Sequence, residues 1–154
     1  MEIIEQLERT KADTLKYFDL GEEDLQKTYG SRKWSVRYVL HHLADSENIF
    51  LYRIRRVISE PKQVIWVVDG DAWAEKLDYS SVPLELARSI YTSSREAILY
   101  CARRHYENSH EIKFVHSETG LRTLKDEFDK VVWHNQQHVG HIEKALGTSQ
   151  LSAP

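Results

Sequence analysis

The chain has 154 residues, of which 41% are hydrophobic and 29% are charged, and its formal net charge is −3. This length and composition are typical of one globular domain with its own core, and they exclude a disordered or membrane-embedded chain. The Lys and Arg residues are scattered and form no basic block, so nucleic acid is not expected as a partner.

The first residues, MEIIEQLERTK, are amphipathic and carry charge from Glu2 onward, without the apolar core of a signal peptide. No apolar run approaches the roughly 20 residues that a membrane helix requires. We therefore expect a cytoplasmic protein with no membrane partner. The single cysteine, Cys101, lies in a helical pattern and is interpreted as a buried, unreactive thiol.

Two helices are predicted in the first part of the chain. Apolar residues at helical spacing predict the first from Glu2 to about Phe18, and a mostly polar connection, Leu20 to Lys33, follows it. The second is predicted from Val36 to Ser59. Ser35 is expected to cap its N-terminus, and Pro61 is expected to end it.

Residues 60–82 form the longest connection without helical periodicity. They contain a β-like run, Val64 to Val68, and then a short helix predicted over Ala72 to Leu77 with Asp71 as its cap. A connection of this length in a helical domain often forms one wall of a functional site.

Two further helices are predicted in the second half. One starts with Pro83 in its first turn and runs to Arg104, and an irregular link, His110 to Leu121, follows. Thr123 and Asp126 resemble a capping box that starts the last helix, and Gly147 is suited to end it in the left-handed conformation.

Four long helices with apolar stripes predict an all-α fold, a four-helix bundle. The linkers are long enough for crossover connections, so the pattern alone leaves the order of the helices open. We expect a single domain over residues 1–148 and a frayed tail over 149–154.

Histidines border the apolar stripe of the last helix. His134 and His138 are one turn apart, so both imidazoles can reach one metal ion, and His141 follows close to His134. The second helix carries His41 and His42. In a helical projection His42 is expected to lie nearer the apolar stripe and His41 to point to the outer side. His42, His134 and His138 could form a three-histidine metal site, while ordinary packing at the rim of the core is the alternative for each of them.

The segments KWSVRYVLHHLADSE, DGDAWAEKLDY and TLKDEFDKVVWHNQQHVGHI, in this order, resemble the DinB-like superfamily of metal-binding four-helix bundles, and within it the YfiT-like branch. The resemblance covers roughly residues 30–147. It implies a bundle whose helix order departs from simple up-and-down, with His42, His134 and His138 as ligands of a divalent metal such as zinc or nickel. Gln137 departs from the histidine that many relatives have there, and His141 matches a position not counted as a ligand.

The resemblance implies a metal-dependent enzyme acting on a small molecule, and a homodimer. The favoured reaction is a transfer in which the metal activates a low-molecular-weight thiol such as bacillithiol or mycothiol. The alternatives are a metal-dependent hydrolase that uses metal-bound water, a non-catalytic dimeric bundle with a closed metal site, and a protein that binds a small ligand without turnover. A closed site would need a fourth protein ligand, for which His41 and His141 are the candidates.

Four side chains outside the trio are candidates for other roles at the site. Asp45, one turn after His42, could orient a ligand imidazole, and His141 could carry protons. The indoles of Trp66 and Trp73 could line the entrance of the pocket. A solvated helix acid, a satisfied rim histidine and plain packing are the respective alternatives.

Overall fold

The computed structural model describes residues 2–60 and 63–148. Pro61, which was predicted to end the second helix, lies outside these residues. So does the segment 149–154, which was predicted to be a frayed tail. A turn of 3-10 helix, Lys16–Asp19, follows the first α-helix. The helices and strands in chain order are α1 (Glu2–Leu15), α2 (Glu22–Leu25), α3 (Val36–Ser59), β1 (Val64–Ile65), α4 (Gly70–Lys76), α5 (Leu84–His105), β2 (Lys113–His116), β3 (Gly120–Thr123) and α6 (Leu124–Leu146).

The four long helices α1, α3, α5 and α6 form the bundle. Helix α3 packs against α5 and α6, and α1 packs against the same two helices, which places α1 diagonally opposite α3. The chain therefore crosses the bundle between α1 and α3 and again between α5 and α6. This arrangement confirms the predicted all-α bundle with crossover connections, and it differs from up-and-down order, in which consecutive helices are neighbours.

The predicted caps of the two site-bearing helices are confirmed. The Ser35 hydroxyl accepts a hydrogen bond from the backbone N–H of Tyr38 at the start of α3. At the start of α6, Thr123 and Asp126 form a reciprocal capping box. Gly147 ends α6 with a φ of 70°, a left-handed conformation that glycine adopts without steric cost.

The cap predicted for the short helix α4 is wrong by two residues. Asp69, not Asp71, precedes the helix, and its side chain accepts a hydrogen bond from the backbone N–H of Ala72 at 3.0 Å. The helix consequently starts at Gly70, two residues before the predicted start. Both aspartates suit an N-cap, so the pattern Asp-Gly-Asp does not distinguish them.

The link predicted to be irregular over His110 to Leu121 contains a β-hairpin. Strands β2 and β3 pair in antiparallel register, and β1 joins β2 in parallel, with Val64 opposite Val115. Gly120, with a φ of 76°, opens β3 directly after the turn. Ile65 of β1 and Phe114 of β2 belong to the same core cluster as residues of the four long helices. The burial of β2 alternates, so that Phe114 and His116 face inward while Lys113 and Val115 face outward.

A layer of buried polar residues divides the core into two apolar clusters. In this layer the Arg95 guanidinium forms an ion pair with Glu47 and donates to the Leu7 carbonyl and the Thr10 hydroxyl. Asn135 on α6 belongs to the same layer, because its side chain hydrogen bonds to both Thr14 and Tyr91. Among the described residues, no helix combines the length and apolar character needed to span a membrane.

Candidate metal centre

Three histidines from two packed helices converge beside the polar layer. His42 of α3 and His134 and His138 of α6 each offer a ring nitrogen, and the three nitrogens lie within 4.8 Å of one another. The ring centroids of His42 and His134 are 5.1 Å apart, and those of the other two pairs are 4.5 Å apart. The structure thus brings together the three residues predicted as ligands. No other group with metal-ligand spacing occurs within residues 2–60 and 63–148.

The secondary structure explains this convergence. His134 and His138 are separated by one turn of α6, so their side chains project from the same face of the helix. Helix α3 packs against that helix and supplies His42 from the other side of the interface. Because two of these histidines lie on one helix and the third on its neighbour, the spacing of their nitrogens depends on how α3 and α6 pack.

The spacing of the nitrogens fits a divalent metal ion. The Nε2 atoms of His42 and His134 are 3.1 Å apart. Two imidazoles on a tetrahedral zinc ion, at Zn–N distances of about 2.0–2.1 Å, have nitrogens about 3.3 Å apart. In addition, Nδ1 of His138 is buried without a hydrogen-bond partner among the described residues. The same holds for one ring nitrogen of His41 and of His141, which lie outside the trio, so the spacing of the three nitrogens, and not this unpartnered atom, supports a metal site.

All three imidazoles are held neutral, which is the form that binds metal. Burial lowers the pKa of His42 to about 4, and burial together with the charges of His138 and His42 lowers that of His134 to about 2. Burial and the neighbouring His42 lower the pKa of His138 to about 3. At neutral pH these rings therefore offer lone pairs, and no proton has to be removed from an imidazolium before a cation binds.

Gly70 and Trp34 fix the surroundings of His42. A Cβ at Gly70 would lie 3.1 Å from Cε1 and 3.4 Å from Nδ1 of the His42 ring, so the start of α4 approaches the ring as closely as glycine allows. The Trp34 indole lies against the same ring, with centroids 4.9 Å apart. Neither residue was predicted from the sequence to have a role at the site, although both lie within the segments that carry the family resemblance.

A cavity of about 190 Å³ opens beside His42 and His134. Ile49 and Phe50 of α3 supply apolar wall, as do Val67 and Val68 from the segment after β1. The long connection after α3 thus forms one wall of the site, in agreement with the sequence analysis. A bound ion would have one side facing the cavity, which is the arrangement of a reactive metal site as opposed to a closed structural one.

Asp45 lies in the cavity wall near His42, but its observed hydrogen bond does not go to an imidazole. The Tyr79 hydroxyl donates to its carboxylate at 2.5 Å. Burial raises the pKa of Asp45, and the hydrogen bond from Tyr79 opposes this effect. The hydroxyl of Ser46 lies 3.4 Å from Nε2 of His42. The predicted role of Asp45 in orienting an imidazole stays a prediction.

The two candidate fourth ligands lie outside the trio. His41 is 3% exposed and stacks on Tyr79, with centroids 5.3 Å apart, so it is buried on another face of α3 and does not point outward as predicted. His141 stacks on Tyr29, with centroids 4.3 Å apart, and its ring is edge-on to His138. Neither histidine belongs to the group whose nitrogens share the 4.8 Å spacing.

The two tryptophans considered for the entrance differ in position. Trp73 lines the cavity, whereas Trp66 has 74% of its surface exposed and lies in a neighbouring groove. Three basic residues that line the cavity were not predicted from the sequence: Arg53, His116 and Lys130. The sequence gives one indication of them, the helical spacing. It places Arg53 on the same face of α3 as His42, and Lys130 on the same face of α6 as His134.

Sequence comparison with known proteins finds a matching family and several relatives. The model of the DinB superfamily matches residues 6–142. A protein of Oceanobacillus iheyensis, named as a candidate metal-dependent hydrolase, is 33% identical over 90% of this chain and 79% of its own length. A second protein of that organism, with a name of the same kind, is 28% identical over 86% of this chain and 76% of its own length.

The fold also has a solved counterpart. The structure of YfiT from Bacillus subtilis superimposes with a TM-score of 0.84, covering 96% of this chain and 87% of its own, at 24% identity. It is described as a four-helix bundle of unusual topology and as a candidate metal-dependent hydrolase. At this level of identity the likeness establishes the fold.

Proposed function

The chain belongs to the DinB superfamily, and from this premise and the geometry of the site we propose that it is a metal-dependent enzyme. His42, His134 and His138 would hold one divalent ion, with zinc or nickel as the best candidates because neutral imidazoles suit both. The observation that carries the proposal is a trio of neutral imidazoles at the edge of a cavity large enough for a small molecule.

The ion would supply Lewis acidity, which lowers the pKa of a water molecule or a thiol bound to it and so provides a nucleophile at neutral pH. The histidines would orient that nucleophile toward the cavity. The apolar side chains Ile49, Phe50 and Val68 would limit the access of other water molecules to a bound substrate.

Asp45 is the proposed proton acceptor. Its carboxylate lines the same cavity as His42 and His134, and the Tyr79 hydroxyl holds it in place. Burial raises its pKa, which moves the carboxylate toward the range where it can accept a proton in one step and release it in the next. Asp45 would thus act as the general base.

Two nucleophiles fit this arrangement. Hydrolysis is favoured by the names of the relatives and by the carboxylate in the cavity wall. Thiol transfer, the reaction that the family resemblance favours, is supported by the three neutral ligands, because they leave the full charge of the ion to stabilise a thiolate. The cavity beside the trio argues against a closed, purely structural metal site. A cytoplasmic homodimer remains part of the proposal.

The test is a product assay with zinc-loaded protein and a panel of esters, amides and electrophiles, each with and without a low-molecular-weight thiol. We expect turnover that chelation abolishes and that Asp45→Asn lowers by about 100-fold or more. Asp24→Asn, in a surface ion pair with Lys27, is the matched control and should leave turnover unchanged. Product without thiol would identify hydrolysis, and a strict thiol requirement would identify transfer. Turnover that survives chelation would refute the metal-dependent mechanism.

A further inference from the structure

The cavity has a second polar end, remote from His42. Arg53 on α3, His116 on β2 and Lys130 on α6 all line it, and each carries N–H groups. Lys130 is four residues before His134 on α6, which corresponds to one helical turn, or about 5–6 Å along the axis. Arg53 is eleven residues beyond His42 on α3, about 16 Å along that axis.

His116 presents a buried donor with no partner. The ring is 3% exposed, and its Nδ1 accepts hydrogen bonds from the backbone N–H groups of Glu118 and Thr119 at 3.3 and 3.4 Å. Because Nδ1 is an acceptor in a neutral ring, the proton is on Nε2. That Nε2 is buried and has no hydrogen-bond partner among the described residues. A buried N–H group left unpaired is costly, so a ligand atom that accepts from it would be stabilised.

Two positive charges flank this donor. Arg53 is 5% exposed and uses one guanidinium nitrogen to donate to the Trp66 carbonyl at 2.7 Å, which leaves further N–H groups free of that bond. Within the described part of the chain, the Lys130 ammonium forms no ion pair. Both charges lie close enough to His116 to lower its pKa, after the larger effect of burial.

Carboxylates near this end offset the charges only in part. Glu127 is buried near Arg53, and one of its oxygens has no hydrogen-bond partner among the described residues. Burial raises the pKa of Glu127, and the charges of Arg53 and Lys130 oppose this effect. Glu118 lines the cavity but is exposed to solvent, and Asp45 is held by Tyr79 near His42. None of these carboxylates forms an ion pair with Arg53 or Lys130.

We propose that the ligand of this cavity carries an anionic group, a carboxylate or a phosphate, which Lys130, Arg53 and the Nε2–H of His116 bind while the reacting group lies at His42 and His134. The inference rests on the proposed function, because it names the chemical class of the molecule that would react there. Lys130 lies one turn from His134 and Arg53 about three turns from His42, which suits a molecule with roughly 5–16 Å between its reacting atom and its anionic group.

The test uses the metal-free full-length chain, so that no anion can bind to a metal ion. Propionate, inorganic phosphate and the neutral isostere propionamide are titrated separately at constant ionic strength. Backbone amide shifts of Glu118 and Thr119, whose N–H groups contact His116, are followed by NMR. We expect saturable shifts with propionate or phosphate and none with propionamide, and the anion that binds more tightly identifies the group.

Lys130 supplies the decisive variant, because it is only partly buried and its replacement should not unfold the protein. Lys130→Gln should weaken anion binding by about fivefold to tenfold, the effect of one charge-assisted contact. Lys130→Arg should retain binding. Lys144→Gln, on the same helix but fourteen residues away, is the matched control and should bind as the unaltered chain does.

Equal affinity in the unaltered chain and in Lys130→Gln would overturn the anion site, as would shifts with propionamide equal to those with propionate. Neither result depends on a metal. Failure of the proposed function would instead appear as the absence of bound metal or of metal-dependent turnover, so the two failures are distinguishable.

Discussion

At the scale of single residues, the absence of a side chain at Gly70 leaves room for the His42 ring. In Gly70→Ala the new methyl group would lie 3.1 Å from the His42 ring, so the ring or α4 must shift by a few tenths of an ångström. Supporting contacts of this kind typically change metal affinity 10- to 100-fold, and we expect a loss of about tenfold in zinc affinity, measured by competition with a chelator.

Gly140→Ala is the matched control for this substitution. A Cβ at Gly140 meets nothing within 4 Å, and the residue lies inside α6. We expect unchanged zinc affinity and a gain of about 0.5–1 kcal/mol in the free energy of unfolding, because alanine favours helix over glycine. Equal zinc affinities for the two variants would show that the approach of Gly70 does not position His42.

The depressed histidine pKa values make the metal-free protein sensitive to acid. Folding lowers the pKa of His41 and His42 to about 4, of His138 to about 3 and of His134 to about 2, against about 6.5 in an unfolded chain. At a pH between the folded-state and unfolded-state pKa of a histidine, the unfolded state binds more protons than the folded state. The free energy of unfolding should therefore be greatest above pH 6.5 and decrease as the pH falls toward 4.

Urea unfolding in the presence of a chelator, at pH 7 and pH 5, checks this expectation. Each histidine contributes at most about 1.4 kcal/mol per pH unit. Because carboxylates also titrate in acid, the comparison is with His134→Gln, which should lose less stability between the two pH values than the unaltered chain. An identical loss in both proteins would mean that His134 is not held neutral by burial.

At the scale of elements, the cap of α4 distinguishes Asp69 from Asp71. The Asp69 side chain satisfies the backbone N–H of Ala72, whereas the Asp71 side chain is exposed in the first turn. Asp69→Ala should lower the free energy of unfolding by about 1 kcal/mol, and Asp71→Ala by less than half as much, in thermal or urea unfolding. The reverse order would restore Asp71 as the cap.

The long helices could be predicted because their signals are local. Apolar spacing, the Ser35 cap and the Thr123 capping box depend on residues within one or two turns. The small sheet could not be predicted in this way. Strands β2 and β3 have four residues each and are not joined by an Asn-Gly turn. Strand β1 pairs in parallel with β2, which lies about fifty residues later in the chain.

The proximity of the three histidines could be predicted in part for the same reason. His134 and His138 share one helix and one face, so their proximity follows from their spacing. Which of His42 and His41 on α3 joins the other two histidines depends on how the helices pack. The helical projection misjudged how deeply His41 is buried. The donors at the other end of the cavity come from three separate elements, and only the fold brings them together.

At the scale of the whole molecule, the buried pair of Arg95 and Glu47 joins three helices. It links α5 to α3, and Arg95 also binds the backbone of α1 at Leu7. Glu47→Gln removes the charge while keeping the size, and it leaves the buried guanidinium without a counterion. We expect a loss of about 3–5 kcal/mol in the free energy of unfolding, measured with urea.

An exposed pair provides the control for that substitution. Asp19→Asn breaks the surface ion pair with Arg88 and should cost less than about 1 kcal/mol. A comparably small cost for Glu47→Gln would indicate that water reaches Arg95.

The polar layer is relevant to the site because Asn135 adjoins His134 on α6, and its hydrogen bonds to Thr14 and Tyr91 fix this part of the helix against α1 and α5.

The most direct test of the proposed centre is the metal content of each chain after purification without added metal and without a histidine tag. We expect roughly one divalent ion per chain in the unaltered protein and in His141→Ala, whose ring lies on α6 outside the trio. His42→Ala, His134→Ala and His138→Ala should each lose the ion while retaining their helical circular dichroism. Full metal content in His134→Ala, or no metal in the unaltered chain even after zinc and nickel are supplied, would contradict the three-histidine site.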